Sequence, residues 1–168
     1  MMKASSVRRA GGWALAAAVV ALLATPAAAT AGKRAGHPSS PPMSPRQVVD
    51  TFDNLVLAHK PREAIERFIA PGFIEHDPLV PVDGKAGLIR YMSEHGWETG
   101  GNAQMRDIVD RTISQGDWVM VHHHIHRHPG DRAQVFVDIF RVKGGLIQEH
   151  WDVMQEVPAH TDNRHTMY

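Results

Sequence analysis

The sequence predicts a single α+β domain whose leading helices cover one face of a curved antiparallel sheet. Three observations carry this expectation. Apolar residues recur at helical spacing as far as Gly100-Gly101, the period changes to two from Ala103 onward, and short Gly-containing turns separate the later runs.

The elements follow in order. "SPRQVVDTFDNLVLAHK" opens a helix: Ser44 can cap it, Pro45 suits the first helical position and Gln47 completes a capping box. Val48, Phe52, Leu55 and Val56 then fall on one face. Pro61 breaks this helix, and "REAIERFIA" forms a second, with Ile65, Phe68 and Ile69 inward, ended by Pro71-Gly72. "FIEHDP" runs extended into a Pro-rich loop. Asp83-Gly84 turns the chain into a third helix, "KAGLIRYMSEHGW", with Leu88, Ile89, Met92 and Trp97 inward.

Four strands are expected next, joined as a meander. "AQMRDIVDRTIS" alternates Met105, Val109 and Ile113 against Arg106, Asp110 and Thr112. Gly116-Asp117 turns into "WVMVHHHIHR", "HPGD" into "RAQVFVDIFRV", and Gly144-Gly145 into "LIQEHWDVMQ".

What precedes and follows this body is of another kind. Lys3, Arg8 and Arg9 lead into the apolar run Trp13–Ala24, and Ala27-Ala28-Ala29 fits a small-residue cleavage site. Residues 1–29 are therefore expected to be a signal peptide, which implies export and no membrane association after cleavage. Residues 30–43 are a Pro- and Ser-rich linker, 44–158 the domain, and 159–168 a tail expected to fray. The chain has no cysteine, which removes disulfides, thiolate metal sites and thiol nucleophiles. Eighteen acids balance eighteen Lys and Arg, which are scattered, so nothing favours nucleic acid.

Histidine is the anomaly: there are twelve, and five lie in the eight residues VHHHIHRH, Val121–His128. On a strand, Trp118, Met120, His122, His124 and His126 share one face, and Val119, Val121, His123 and Ile125 the other. The next strand divides into Phe136, Asp138, Phe140 and Val135, Val137, Ile139. A five-residue connection sets His122 opposite Asp138, and a four-residue one sets it opposite Val137. The first is preferred because it joins the plainly apolar faces. For the last hairpin, a three-residue turn is preferred to a two-residue one, since it gathers His122, His124, Asp138, His150 and Asp152 on one face. Turned toward the helices, that face is a pocket wall in which burial brings Asp138 toward neutrality beside His122. The opposite face, with Val119, Val121, Val135, Val137 and Ile139, is too apolar for water and predicts a homodimer or larger homo-oligomer.

Two residues apart on a strand, His122 and His124 can also reach one metal ion. The spacing from Gly116 matches the opening of a cupin signature. However, the glutamate that should follow is missing, and three leading helices do not suit a jelly roll. No metal or other cofactor is therefore expected.

"FIEHDP…VDGKAGLIRYM", "GDWVMVHHH", "VDIFRVKGGLIQEHWDV" and "MQEVP" together resemble the SnoaL-like polyketide cyclases of the nuclear transport factor 2-like superfamily. The resemblance implies an α+β cone and an intramolecular aldol or isomerase reaction on a small hydrophobic carbonyl compound. It implies Asp138 as the acid–base residue and His122 as its partner, with His124 as competitor. His76 would orient substrate from the loop side, and His150 and Asp152 would lie near the floor. Trp118, Phe136 and Phe140 complete the expected ligand-binding set. The fold also hosts binding modules without turnover, which is the rival reading.

Overall fold

The computed structural model describes residues 41–101 and 103–168; the expected leader lies outside them. Helix α1 (Pro45–Leu57) starts as its cap predicts: Gln47 N–H donates to Ser44 Oγ at 3.3 Å, and Ser44 N–H donates to Gln47 Oε1 at 2.9 Å. Such caps contribute about 1 kcal/mol. Helix α2 (Pro61–Phe68) follows Pro61, but it stops before Pro71-Gly72. The backbone is already extended at Ile69, and strand β1 (Ile69–Glu75) runs through both residues.

Strand β1 is the element the expected meander lacked. It pairs in parallel with β5 (Leu146–Glu156), with Ile69 opposite Ile147 and Glu75 opposite His150, and its register shifts between Ile69 and Ile74. Pro71 is tolerated because β1 is an edge strand. With β2 (Arg106–Gln115), β3 (Trp118–His126) and β4 (Gln134–Lys143), the sheet has five strands among the described residues, in the order β1-β5-β4-β3-β2. Helix α3 (Gly84–Glu94) is capped by Asp83, whose Oδ1 accepts from Gly84 N–H at 2.8 Å. A Cβ at Gly87 would lie 1.6 Å from the Val82 carbonyl oxygen, so only glycine lets α3 meet the loop before it.

The core lies between the helices and one face of the sheet. Val48, Phe52, Ile65 and Phe68 pack with Val119, Val121, Phe140 and Ile147, and Ile65, Val119 and Ile147 are completely buried. Each fully buried aliphatic chain of this size contributes about 1.5–3 kcal/mol.

Two registers differ from expectation. Between β3 and β4, Val121 stands opposite Asp138 and His122 opposite Val137, the arrangement of the four-residue connection. That connection is closed by Asp131, whose N–H donates to the His128 carbonyl while its carboxylate accepts from Arg127 N–H at 2.9 Å. The helices claim Val119 and Val121 for the core, so the face carrying His122 turns outward. In the last hairpin the turn has two residues, Gly144 (φ +62°) and Gly145 (φ +79°), the left-handed geometry that suits a tight hairpin. A bulge then restores the sorting that the three-residue turn would have supplied. Val142 pairs with Ile147 and Arg141 with Glu149, leaving Gln148 extra, so Asp138 faces Asp152 and Phe140 faces His150.

The outer face is also not as expected. Val119, Val121 and Val135 are buried, and the exposed apolar residues there are Ile108, Ile113, Trp118 and Val153. Nor does the tail hang free: Tyr168 stacks on His124 with ring centroids 3.7 Å apart.

Candidate active site

The inner face of the sheet reads as rows of register partners. Val109, His123, Phe136 and Met154 form one row, and Thr112, Val121, Asp138 and Asp152 the next. Val119, Phe140, His150 and Glu75 form a third. Between this face and the helices lies a cavity of about 460 Å³, walled by Phe52, Val56, Leu88, Met92, Trp97 and Phe136 among others. Its walls are mostly apolar, and its polar groups converge at the sheet.

Those groups form a chain of alternating carboxylates and imidazoles. His123 Nδ1–H donates to Asp107 Oδ1 at 2.7 Å, and its Nε2–H to Asp138 Oδ2 at 3.1 Å. On the far side of Asp138, His150 Nε2 lies 3.7 Å from Oδ1, and His150 Nδ1–H donates to Glu75 Oε1 at 2.8 Å. His123 donates at both nitrogens, which only an imidazolium can do, and His150 lies between two carboxylates. Phe136 lies against His123 and Phe140 stacks on His150, with ring centroids 5.1 and 4.8 Å apart, so each cation also meets an aromatic face.

The electrostatics follow from these contacts. Burial alone would lower both imidazoles, but the bonds from their carboxylates outweigh it, raising His123 and His150 to about 10. Burial would likewise raise Asp138, yet the two imidazolium rings pull it down to about 2. The expectation that Asp138 approaches neutrality is therefore corrected: it is a fixed anion between two cations. Two other carboxyls lack such partners and move upward. Asp152 rises to about 6 through burial and the Asp138 charge, and its Oδ1, out of solvent contact, accepts no hydrogen bond among the described residues. Asp53, on the pocket side of α1, rises to about 8 through burial and the charges of Asp138 and Asp107.

Of the residues singled out from sequence, Asp138, His150, Asp152, Phe136 and Phe140 line the cavity. His122, His124, His76 and Trp118 do not. His122 shares the outer face with Val137, its Nδ1 buried and unpartnered among the described residues. His124 Nδ1 bonds Asp110 at 2.9 Å beneath Tyr168. His76 is turned outward by strand alternation after Glu75, stacking on Trp151 at 4.3 Å and meeting Glu149 at 3.3 Å. Trp118 lies near Trp151, also outside. Among the described residues, no group of three or more His, Asp or Glu side chains is arranged to hold a metal.

Several pocket residues escaped the sequence reading, His123, Asp53, Glu75 and Asp107 among them. His123 was lost with the β3–β4 register. Asp53 sits inside the apolar stripe Val49, Phe52, Val56, a misfit that helical spacing alone could have flagged. Glu75 follows Phe73 at period two, and Asp107 precedes Val109 likewise.

A model of the SnoaL-like domain matches residues 48–150, more than half of the chain. A comparison with curated proteins finds no match. Among solved structures, IdmH of Streptomyces antibioticus, assigned as a polyketide cyclase, is 17% identical with a TM-score of 0.54, over 67% of this chain and 92% of that one. A protein of Kribbella flavida assigned as a ketosteroid isomerase is 17% identical with a TM-score of 0.56, over 74% and 87%. A protein of Acidithiobacillus ferrooxidans assigned as a polyketide cyclase is 19% identical with a TM-score of 0.51, over 69% and 91%. At these identities the likeness is one of fold.

Proposed function

This chain belongs to the family of SnoaL-like domains, and on that footing we propose that it is an acid–base enzyme of isomerase or aldol-cyclase type acting on a small apolar carbonyl compound. One observation carries the reading: Asp152, a carboxylate with no ion-pair partner among the described residues, lines the same apolar cavity as a cationic His150.

The roles differ from those expected of the sequence. Asp138, held near pKa 2, is a weak base, whereas Asp152, at about 6, matches neutral pH. Asp152 takes the proton from the carbon next to the carbonyl. The developing oxyanion accepts a hydrogen bond from His150 Nε2–H, whose acceptor Asp138 Oδ1 lies 3.7 Å away, beyond bonding distance. Asp138 and His123 hold that donor charged and oriented. The enolate then regains the proton at another carbon, or attacks a second carbonyl of the same molecule, whose oxygen takes the proton from Asp152.

The test is solvent-deuterium exchange at the α-carbon of apolar ketones, followed by NMR. Wild-type protein should accelerate exchange, and Asp152→Asn should lose the acceleration. Ketone binding without exchange would leave a ligand-binding module in its place.

Two further proposals complete the reading. A second copy covers the outer face where Ile113 and Val153 are 54% and 63% exposed. A monomer in light scattering at micromolar concentration would overturn it. The leader directs export, so the mature protein should be recovered outside the cytoplasm, beginning after the Ala27–Ala29 segment.

A further inference from the structure

Helix α1 carries two acids, Asp50 and Asp53, and they lie on different faces. Asp50 is engaged by Arg46 at 3.3 Å on the exposed side. Asp53 stands where an apolar residue is expected: Val49, Phe52, Asp53 and Val56 fall at i, i+3, i+4 and i+7, one stripe of the helix, and the other three are buried. Turning a carboxyl into an apolar stripe costs free energy unless something bonds it. Asp53 accepts no hydrogen bond and makes no ion pair among the described residues, and the mechanism above does not use it.

Packing fixes where this carboxyl stands. The helix meets the sheet through Phe52, whose ring sets edge-on against Phe140 with centroids 6.4 Å apart, and Phe140 stacks on His150 at 4.8 Å. Asp53, the next residue, lines the same cavity as His150 and Asp152, but from the helix wall. At about 460 Å³ the cavity is of small-ligand size, so a ligand that fills it touches both walls. From the sheet, Asp53 is faced by Glu75, Asp107, His123, Asp138, His150 and Asp152, and from α3 by Tyr91 and His95. All the sheet groups but Asp152 hold one another in the charge chain.

Resting on the catalytic pocket proposed above, we infer that Asp53 is a second catalytic residue, the acid that protonates the new hydroxyl oxygen when the enolate closes onto a second carbonyl of the same molecule. The substrate is then a dicarbonyl compound, enolised at the sheet and closed toward the helices. Orbital alignment separates the two carboxyls. Asp152 occupies the face of the enolate that it has just deprotonated, so the second carbonyl closes on the opposite face, toward α1. The enolate π pair forms the carbon–carbon bond, and the carbonyl π pair moves onto its oxygen. That oxygen takes the proton of the Asp53 carboxyl rather than the one held by Asp152. Asp152 is left protonated and Asp53 ionised, and a proton passing between them through solvent after product release restores both. Burial and the Asp138 charge raise Asp53 to about 8, and Asp152 lies at about 6. Near pH 7 the acid is therefore protonated and the base ionised.

The experiment gives the protein 1-phenylhexane-1,5-dione in deuterated water and follows it by NMR. Deuterium entering the methyl group reads enolisation, and loss of the diketone to a six-membered ring reads closure. Wild-type protein should do both, and Asp152→Asn should lose both. Asp53→Asn, with folding verified by circular dichroism, should still admit deuterium but close the ring about a hundredfold or more slowly. Closure by the wild type should fall as pH rises through about 8, a limb that Asp53→Glu keeps and the residual closure of Asp53→Asn lacks. Closure at the wild-type rate in Asp53→Asn, loss of exchange together with closure in that variant, or wild-type closure that stays level from about pH 7 to 9 would each overturn the inference. Wild-type exchange without closure would overturn it too and leave Asp152 standing as the base, whereas absence of both removes the proposed function with it.

Discussion

Glu75 Oε1 lies 2.8 Å from His150 Nδ1, and the same two residues are register partners in the parallel pairing of β1 with β5. The edge strand thus does more than extend the sheet: it delivers the carboxylate that keeps His150 cationic.

Replacing Glu75 with Gln removes that anion, and His150 should titrate well below its present value of about 10 in an NMR pH series. The sign for stability follows. His123 and His150 are raised in the folded state, so their contribution is complete below about pH 6.5 and lost as pH rises through about 10. Asp53, raised to about 8, adds a loss of the same sign through that value. Asp138 acts oppositely, but only as pH falls toward 2. The wild-type Tm should decline between pH 7 and 10. Glu75→Gln should start lower and decline less.

The value of about 6 for Asp152 sets the expected pH dependence of catalysis. As the base must be ionised, kcat/KM should rise as pH increases through about 6. In Asp152→Asn that limb should vanish, with a loss of about a hundredfold or more.

Adjacent histidines should behave in opposite ways. His122→Leu removes a buried, unpartnered nitrogen on the outer face, so stability should change by less than about 1 kcal/mol and turnover should persist. His123→Leu strands Asp107 and Asp138, which should cost about 3–5 kcal/mol and abolish turnover. Denaturant melts of the two variants make the comparison directly.

Gly87→Ala adds one methyl group and should still destabilise the domain by about 2 kcal/mol or more. Its Cβ would collide with the backbone at Val82, which cannot rotate away as a side chain would. Calorimetric Tm measurement tests this.

Much of this architecture was legible because local chemistry dictates it. The Ser44–Gln47 capping box, the break at Pro61 and the location of the last turn at Gly144-Gly145, though not its length, act within a few residues of themselves. The partition of β3 into two sets was legible as well. Which set faces the core was not, since Val119 and Val121 compete with Trp118 and Met120 on hydrophobicity alone. The decision falls to the helices, which take Val119 and Val121 into the core, and to the Asp131 turn, which closes the β3–β4 connection. Parallel pairing of β1 left no local mark either, because its partner is more than seventy residues on. Asp138, His150 and Asp152 share a face as expected from alternation along β4 and β5, although a two-residue turn and a bulge, rather than a three-residue turn, produce that sorting. His123 was missed because a one-residue slip exchanges it for His122.

That slip has a consequence for how the strand tolerates error. Positions 122, 123 and 124 all carry imidazole, so a misaligned β3 would still bring a histidine to Asp138. The charge chain by itself cannot tell right from wrong alignment. Packing does the proofreading: displaced by one residue, β3 would push Trp118 and Met120 into space shaped for Val119 and Val121. The imidazoles of β3 repeat along the strand and the valines do not, so errors during folding should be corrected by residues that never touch a substrate's reacting atoms.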